Sequence, residues 1–238
     1  DIVRNSLDEI GLYYYYDQTS AKVRYIVMDL YENYTGENIP WGVTSGVSDT
    51  QMEWIFNEAV LNAPEGYKLF FLMHNSVGFY RNDPMYKNLY QTLLALSSHG
   101  TSQSYDFSTR EDLSLLMVLG GHAHHDMQIG LGGVFYVQTA SDACYEDFKR
   151  SPFADSSIQR VSGSIYEQAF DYVGISEDYN TVTMVRTGVG GNRRFNLKPV
   201  PMITGEKLKL ESDNAVQWFC YDSESRYESS TWTLYSSV

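Results

Sequence analysis

Cysteine, positive charge and long apolar runs are all scarce in this chain of 238 residues. The two cysteines, Cys144 and Cys220, lie far apart and cannot reveal a redox compartment. Lys and Arg number 17 against 30 Asp and Glu, for a net charge of −13. That balance argues against a nucleic-acid-binding surface, because phosphate backbones demand basic patches. No stretch reaches the roughly 18 unbroken apolar residues of a membrane-spanning helix, and no signal peptide opens the chain. Asp1 is not an initiator methionine, so the chain reads as processed or as a fragment, with residues 1–12 the tail of something earlier. Apolar and aromatic residues are plentiful: 43% of the chain is apolar and 20 residues are tyrosine. That supports a proper core in one large domain, or one and a half. The aromatic content is common in proteins that meet carbohydrate or work outside cells.

Histidine is also rare, and its placement is informative. Three of the five histidines fall in Gly120-Gly121-His122-Ala123-His124-His125-Asp126, directly behind the apolar run Leu115–Leu119. A short apolar run that stops at two glycines reads as a buried strand delivering a loop to the end of a sheet. Gly120 and Gly121 let the backbone turn sharply and approach a ligand closely. His122 and His124, two apart, can point the same way in an extended loop and present nitrogens to a metal. His125 then points away. A second apolar run, Leu69–Met73, ends at His74. Two strands that both end in histidine suggest one metal site at one edge of one sheet. His99 reads differently: it precedes Gly100 at the end of a predicted helix, where a partial positive charge suits the macrodipole.

The surrounding pattern is that of an α/β protein. Tyr13–Tyr16 and 23–29 read as strands about a turn at Asp17–Ala21. Ser48 and Gln51 form a capping-box pattern that opens a helix over 49–63, with Met52, Ile55, Phe56, Ala59 and Val60 on one face. Strand 68–73 follows at once. Asp83-Pro84 opens a second helix over 84–98. Thr101–Thr109 reads as a polar, mobile loop. Asp126–Gly133 reads as a turn-rich crossing before a strand at 134–138, and Thr139–Ile158 as irregular. Residues 169–175 and 181–186 form a hairpin.

Gly121-His122-Ala123-His124, preceded at a distance by strand-end His74, resembles the C-terminal half of calcineurin-like metallophosphoesterases. That family's full signature runs Asp-x-His, Gly-Asp-x-x-Asp, Gly-Asn-His-Asp/Glu, a lone His, then Gly-His-x-His. The first three blocks have no counterpart in this chain, and the match covers about residues 20–196. The His-x-His-x-Asp-His of metallo-β-lactamase-fold hydrolases is a weaker fit. Met127 stands where its last histidine belongs, and no histidine follows His125.

The resemblance implies a four-layer α-β-β-α sandwich, here partial, with two divalent metal ions at its strand ends. The ions would be drawn from Mn, Fe, Zn, Ni or Mg, and the substrate would be a phosphate ester. His74 and His122 would bind one ion and His124 the other. The remaining ligands and the catalytic acid histidine would come from the missing N-terminal motifs, on the same or a longer polypeptide. No catalytic residue is assigned within this chain, which alone should bind metal weakly and hydrolyse little.

Two further stretches bear on context. Gly163–Asp171, followed by Arg186-Thr187-Gly188, resembles the end of phosphoesterase domains in bacteriophage and prophage tail proteins. This implies an extracellular or virion-associated setting, and an alternative role as an inactive structural or adhesion module of a virion or cell surface. A boundary near Lys198–Pro201 separates the phosphoesterase part, 1–198, from a β extension at 199–238. The alternating segment Gly205–Leu210 resembles the opening of an immunoglobulin-like domain; a β extension packed on the main sheet accounts for it equally well.

Overall fold

The computed structural model describes residues 2–4, 12–31, 46–124, 126–140, 163–165 and 167–197. The expectations for His125, Cys144, Cys220, most of 139–158 and the 199–238 extension lie outside these residues.

In chain order the strands begin with β1 (Ile2–Arg4), β2 (Tyr14–Gln18), β3 (Val23–Met28), β4 (Lys68–Met73) and β5 (Ser114–Gly120). They continue with β6 (Met127–Leu131), β7 (Val134–Gln138), β8 (Ala169–Ile175), β9 (Thr181–Gly188) and β10 (Arg193–Asn196). The first seven make one mixed sheet in the order β1-β2-β3-β4-β5-β7-β6. Its centre, β3, β4, β5 and β7, is parallel. The last three make an antiparallel sheet in the order β10-β9-β8.

The central strands read as unbroken apolar runs because both of their faces are covered. Alternate residues serve opposite cores. Leu69, Phe71 and Met73 join Ile55, Phe56, Leu89 and Leu93 under the helices. Phe70, Leu116, Met117 and Val137 pack against Val182, Met184 and Phe195 of the second sheet. The protein is thus mixed α/β, with helices on one face of the large sheet and a small antiparallel sheet on the other.

The first helix starts as α1 (Asp49–Glu53) and continues as a π-helix over Trp54–Leu61. Ser48 Oγ accepts from Gln51 N at 3.1 Å, as a cap should. Near the far end two arginines take carbonyls. Arg24 Nη1 donates to Ala59 O at 2.9 Å, and Arg110 donates to Leu61 O and Ala63 O. In π geometry Ala59 O would look to residue 64, a proline without an N–H, so Arg24 supplies the donor. The second helix, α2 (Pro84–Ser97), is capped by Asp83, whose Oδ1 accepts from Met85 N at 2.9 Å. Beyond its end His99 takes a left-handed φ of 51°, and its Nε2 meets Leu113 O at 2.9 Å. His99 is a satisfied structural residue.

Two expectations are corrected. Thr101–Thr109 is anchored, not a loose polar loop: Tyr105 and Phe107 are buried against Phe56, with ring centroids 5.0 and 6.0 Å away. Residues 126–133 are mostly strand. β6 pairs antiparallel with β7 about Gly132-Gly133, both at positive φ, which makes a tight hairpin instead of an irregular crossing.

Candidate metal centre

The C-terminal ends of the four parallel strands share one edge of the sheet, where open α/β sheets place their ligands. β4 ends at Met73 and releases His74; β5 ends at Gly120 and releases Gly121 and His122. The two exits are tied together. Gly121 N donates to His74 O at 2.7 Å, and Thr139 N donates to Gly120 O at 2.9 Å. A Cβ on Gly120 would stand 2.7 Å from Ser76 N and 2.9 Å from Met73 O, both backbone atoms. Only glycine fits there. At Gly121 the nearest atom would be His74 O at 3.9 Å, so space does not demand glycine.

Past the glycines the loop coils. His122 has φ 74° and His124 φ 59°, both left-handed. This replaces the extended loop that would set the two imidazoles on one side. The left-handed region costs an L-residue about 1–2 kcal/mol, and such strain gathers at functional sites.

The coil brings His122 to His74. Their Nδ1 and Nε2 atoms are 3.2 Å apart, with ring centroids at 5.1 Å. Two nitrogens bound to one tetrahedral ion at about 2.0–2.1 Å stand about 3.3 Å apart, so this separation fits a shared ion. Both rings open to solvent on one side. Desolvation on the packed side, then the charges of His122 and His124, hold His74 below the ordinary imidazole range. His122 is lowered by desolvation and then by His124. Both are neutral near pH 7, the state that offers lone pairs to a cation.

His124 is therefore near the pair, but among the described residues no group of three or more His, Cys, Asp or Glu is placed to hold an ion. The structure joins two of the three expected ligands and does not complete a third.

Residues outside the histidine motifs also reach this site. Tyr31 sets its ring 5.3 Å from that of His74, and Tyr80 lies 5.7 Å from His122. The Tyr31 hydroxyl is 3.2 Å from Asn75 Oδ1 and 3.3 Å from His122 Nδ1. Tyr31 is held by a relay from α1. Gln51 Oε1 accepts from Asp29 N at 2.9 Å, and Gln51 Nε2 donates to Asp29 O at 2.8 Å. Asp29 Oδ1 in turn accepts from Tyr31 N at 2.9 Å, an Asx turn that bends the chain over the histidines. The polar residue directly behind a strand-end histidine, Asn75, was the one signal in the sequence for this group.

Behind the loop stands a buried ion network. Asp126 Oδ1 accepts from Ala140 N at 3.1 Å and from Arg186 Nη2 at 2.6 Å. Asp171 accepts from Arg186 Nε at 3.0 Å and from Arg193 Nη2 at 2.6 Å. Arg186 Nη1 also donates to Val189 O at 2.7 Å. Asp171, Arg186 and Arg193 come from β8, β9 and β10, so the small sheet is bolted to the chain just past His124.

No protein-family model, curated protein or solved structure matches the chain in the comparisons made.

Proposed function

We propose that this chain carries part of the metal centre of a metal-dependent phosphoesterase. The observation that supports this best is the 3.2 Å approach of His74 Nε2 to His122 Nδ1, on adjacent parallel strand ends. In this reading His74 and His122 hold one divalent cation and His124 contributes to a second. Such cations, whether Mn, Fe, Zn, Ni or Mg, supply Lewis-acid polarisation of a phosphoryl oxygen. They would also offset the repulsion between a phosphate ester and a chain of net charge −13. The side chains on this edge orient the ester. Tyr31 and Tyr80 wall the imidazole pair on two sides, and the Tyr80 hydroxyl is a donor of a kind suited to phosphoryl oxygens.

The four-layer α-β-β-α sandwich belongs to the same proposal. Helices, large sheet and small sheet make three layers. The outer face of the small sheet leaves Phe170, Tyr172 and Val185 exposed, an apolar surface that suits a fourth layer. That layer, and the remaining ligands, would come from the N-terminal motifs on a longer polypeptide. The same apolar face also favours a second reading, an inactive phosphoesterase-like module packed into a virion or cell-surface assembly.

Turnover of an aryl phosphate with added Mn²⁺ tests these readings. The chain alone should show negligible activity, and a polypeptide extended upstream through the absent motifs should turn over. Strong activity from the chain alone would mean that the ligand set is misassigned. An extended polypeptide that binds metal and stays inactive would favour the structural module.

A further inference from the structure

Beside the imidazole pair runs a chain of polar groups whose protons can be placed. Asn75, only 4% exposed, donates from Nδ2 to the Tyr86 hydroxyl at 3.3 Å. Its Oδ1 therefore faces the Tyr31 hydroxyl, 3.2 Å away. A carbonyl oxygen only accepts, so the single phenolic proton of Tyr31 is committed to Asn75. The Tyr31 oxygen is left with lone pairs, and they face His122 Nδ1 at 3.3 Å.

His122 Nδ1 also faces His74 Nε2 at 3.2 Å. A proton on His122 Nδ1 sits between two acceptors and suits both. A proton on His74 Nε2 would serve one contact and leave the Tyr31 oxygen and His122 Nδ1 lone pair against lone pair. The hydrogen bonds around an imidazole decide its tautomer, and here they select the first arrangement.

We infer that Tyr31, oriented by Asn75, is a positioning residue that holds His122 as the Nδ1–H tautomer in the metal-free protein. The inference rests on the metal-centre reading above and adds a device to it. In this arrangement the His74 Nε2 lone pair accepts from the His122 Nδ1–H and His122 Nδ1 is itself blocked, so an incoming divalent cation finds neither nitrogen free. For a cation to bind both, the His122 proton must pass from Nδ1 to Nε2, with no change in net charge, and the contact with Tyr31 must break. Tyr31 thus weakens cation binding by the imidazole pair alone and biases the site against loading before its other ligands are present.

The test uses the chain labelled with ¹⁵N-histidine, at about pH 8 where imidazoles are neutral, with Zn²⁺ as probe. In the metal-free protein His122 should show a protonated Nδ1 and a bare Nε2, and Zn²⁺ should reverse the two. In Tyr31→Phe the metal-free ring should shift toward protonated Nε2. The Zn²⁺ dissociation constant should fall about three- to tenfold, the scale of one competing hydrogen bond. Unchanged thermal unfolding of Tyr31→Phe would confirm that the fold is kept. A protonated Nε2 in the metal-free wild-type chain overturns the inference. So does a Tyr31→Phe variant that binds Zn²⁺ no more tightly than wild type. If the wild-type chain binds no Zn²⁺ at all, the metal-centre reading fails. The metal-free tautomers of wild type and Tyr31→Phe then decide the role of Tyr31 by themselves.

Discussion

Two polar clusters flank the segment 122–126, and they are built on opposite rules. Behind it, Asp126, Asp171, Arg186 and Arg193 pair two carboxylates with two guanidiniums, and the Asp171 and Arg186 side chains are only 3% and 1% exposed. In front of it, His74 and His122 are neutral, open on one side, and meet each other and Tyr31 at 3.2 and 3.3 Å. The rear cluster uses its charges up internally, so little is left for a ligand. The front cluster keeps donor atoms at the surface and accepts backbone strain at His122 and His124 to do so. Titratable groups serve structure in one and remain open for chemistry in the other. Asp126 of the rear cluster lies only two residues past His124 in the sequence, so the buried network anchors the chain next to the strained loop.

The sharpest way to break this contrast is to remove a carboxylate from the rear cluster. Asp171→Ala leaves Arg186 and Arg193 with Asp126 as the one carboxylate between them, and so one positive charge without a counter-charge in a buried setting. Such an uncompensated charge costs about 3–5 kcal/mol. His74→Ala, by contrast, removes a side chain open to solvent and should stay within about 0.5 kcal/mol of wild type. Urea unfolding of the two variants measures the difference. Equal losses would mean that the rear network is not the structural anchor described here.

A smaller effect separates the two glycines. In Gly120→Ala the new methyl would meet Ser76 N and Met73 O at 2.7 and 2.9 Å. Backbone cannot give way as a side chain can, so the variant should lose about 1–3 kcal/mol. The end of β5 should also move off β4, parting His122 from His74. Gly121→Ala has room at 3.9 Å and should stay within about 0.5 kcal/mol. Unfolding curves of both variants check this. Equal cost at both positions would show that the glycines act through chain flexibility and not through the close approach at Gly120.

The front cluster was far more legible in the sequence than the rear one. His74 and His122 each follow an unbroken apolar run, and parallel strands bring such runs to one edge. Their meeting therefore needs only the order of elements. Tyr31 was hidden, since it lies just past the strand at 23–29 with no motif around it and is placed by Gln51, a residue of a distant helix. The rear network draws Asp126, Asp171, Arg186 and Arg193 from four separate segments, and no local pattern announces such pairing. β6 was missed because Gly130 and the pair Gly132-Gly133 look like a loop until Val134–Gln138 is seen to fold back on Met127–Leu131. Tyr105 and Phe107 were missed for the reverse reason: polar neighbours masked two core aromatics.

The smallest expected effect has the opposite sign to the others. His122 holds φ 74°, which costs an L-residue about 1–2 kcal/mol and glycine almost nothing. His122→Gly releases that strain. It also loses the ring contacts with His74 and Tyr80, and it adds freedom to the unfolded chain worth about 0.5–1 kcal/mol. The net should be a gain of up to about 0.5 kcal/mol in urea unfolding. The same substitution removes one of the two imidazoles that share a cation in the proposed centre, so Zn²⁺ affinity should fall at least about tenfold. More stability with less ligand binding is the signature of a residue kept for chemistry against the preference of the fold. If His122→Gly instead destabilises the chain by more than 1 kcal/mol, the left-handed turn is being held by the imidazole's own contacts. The front cluster would then be a structural element like the rear one, and the contrast between the two would be lost.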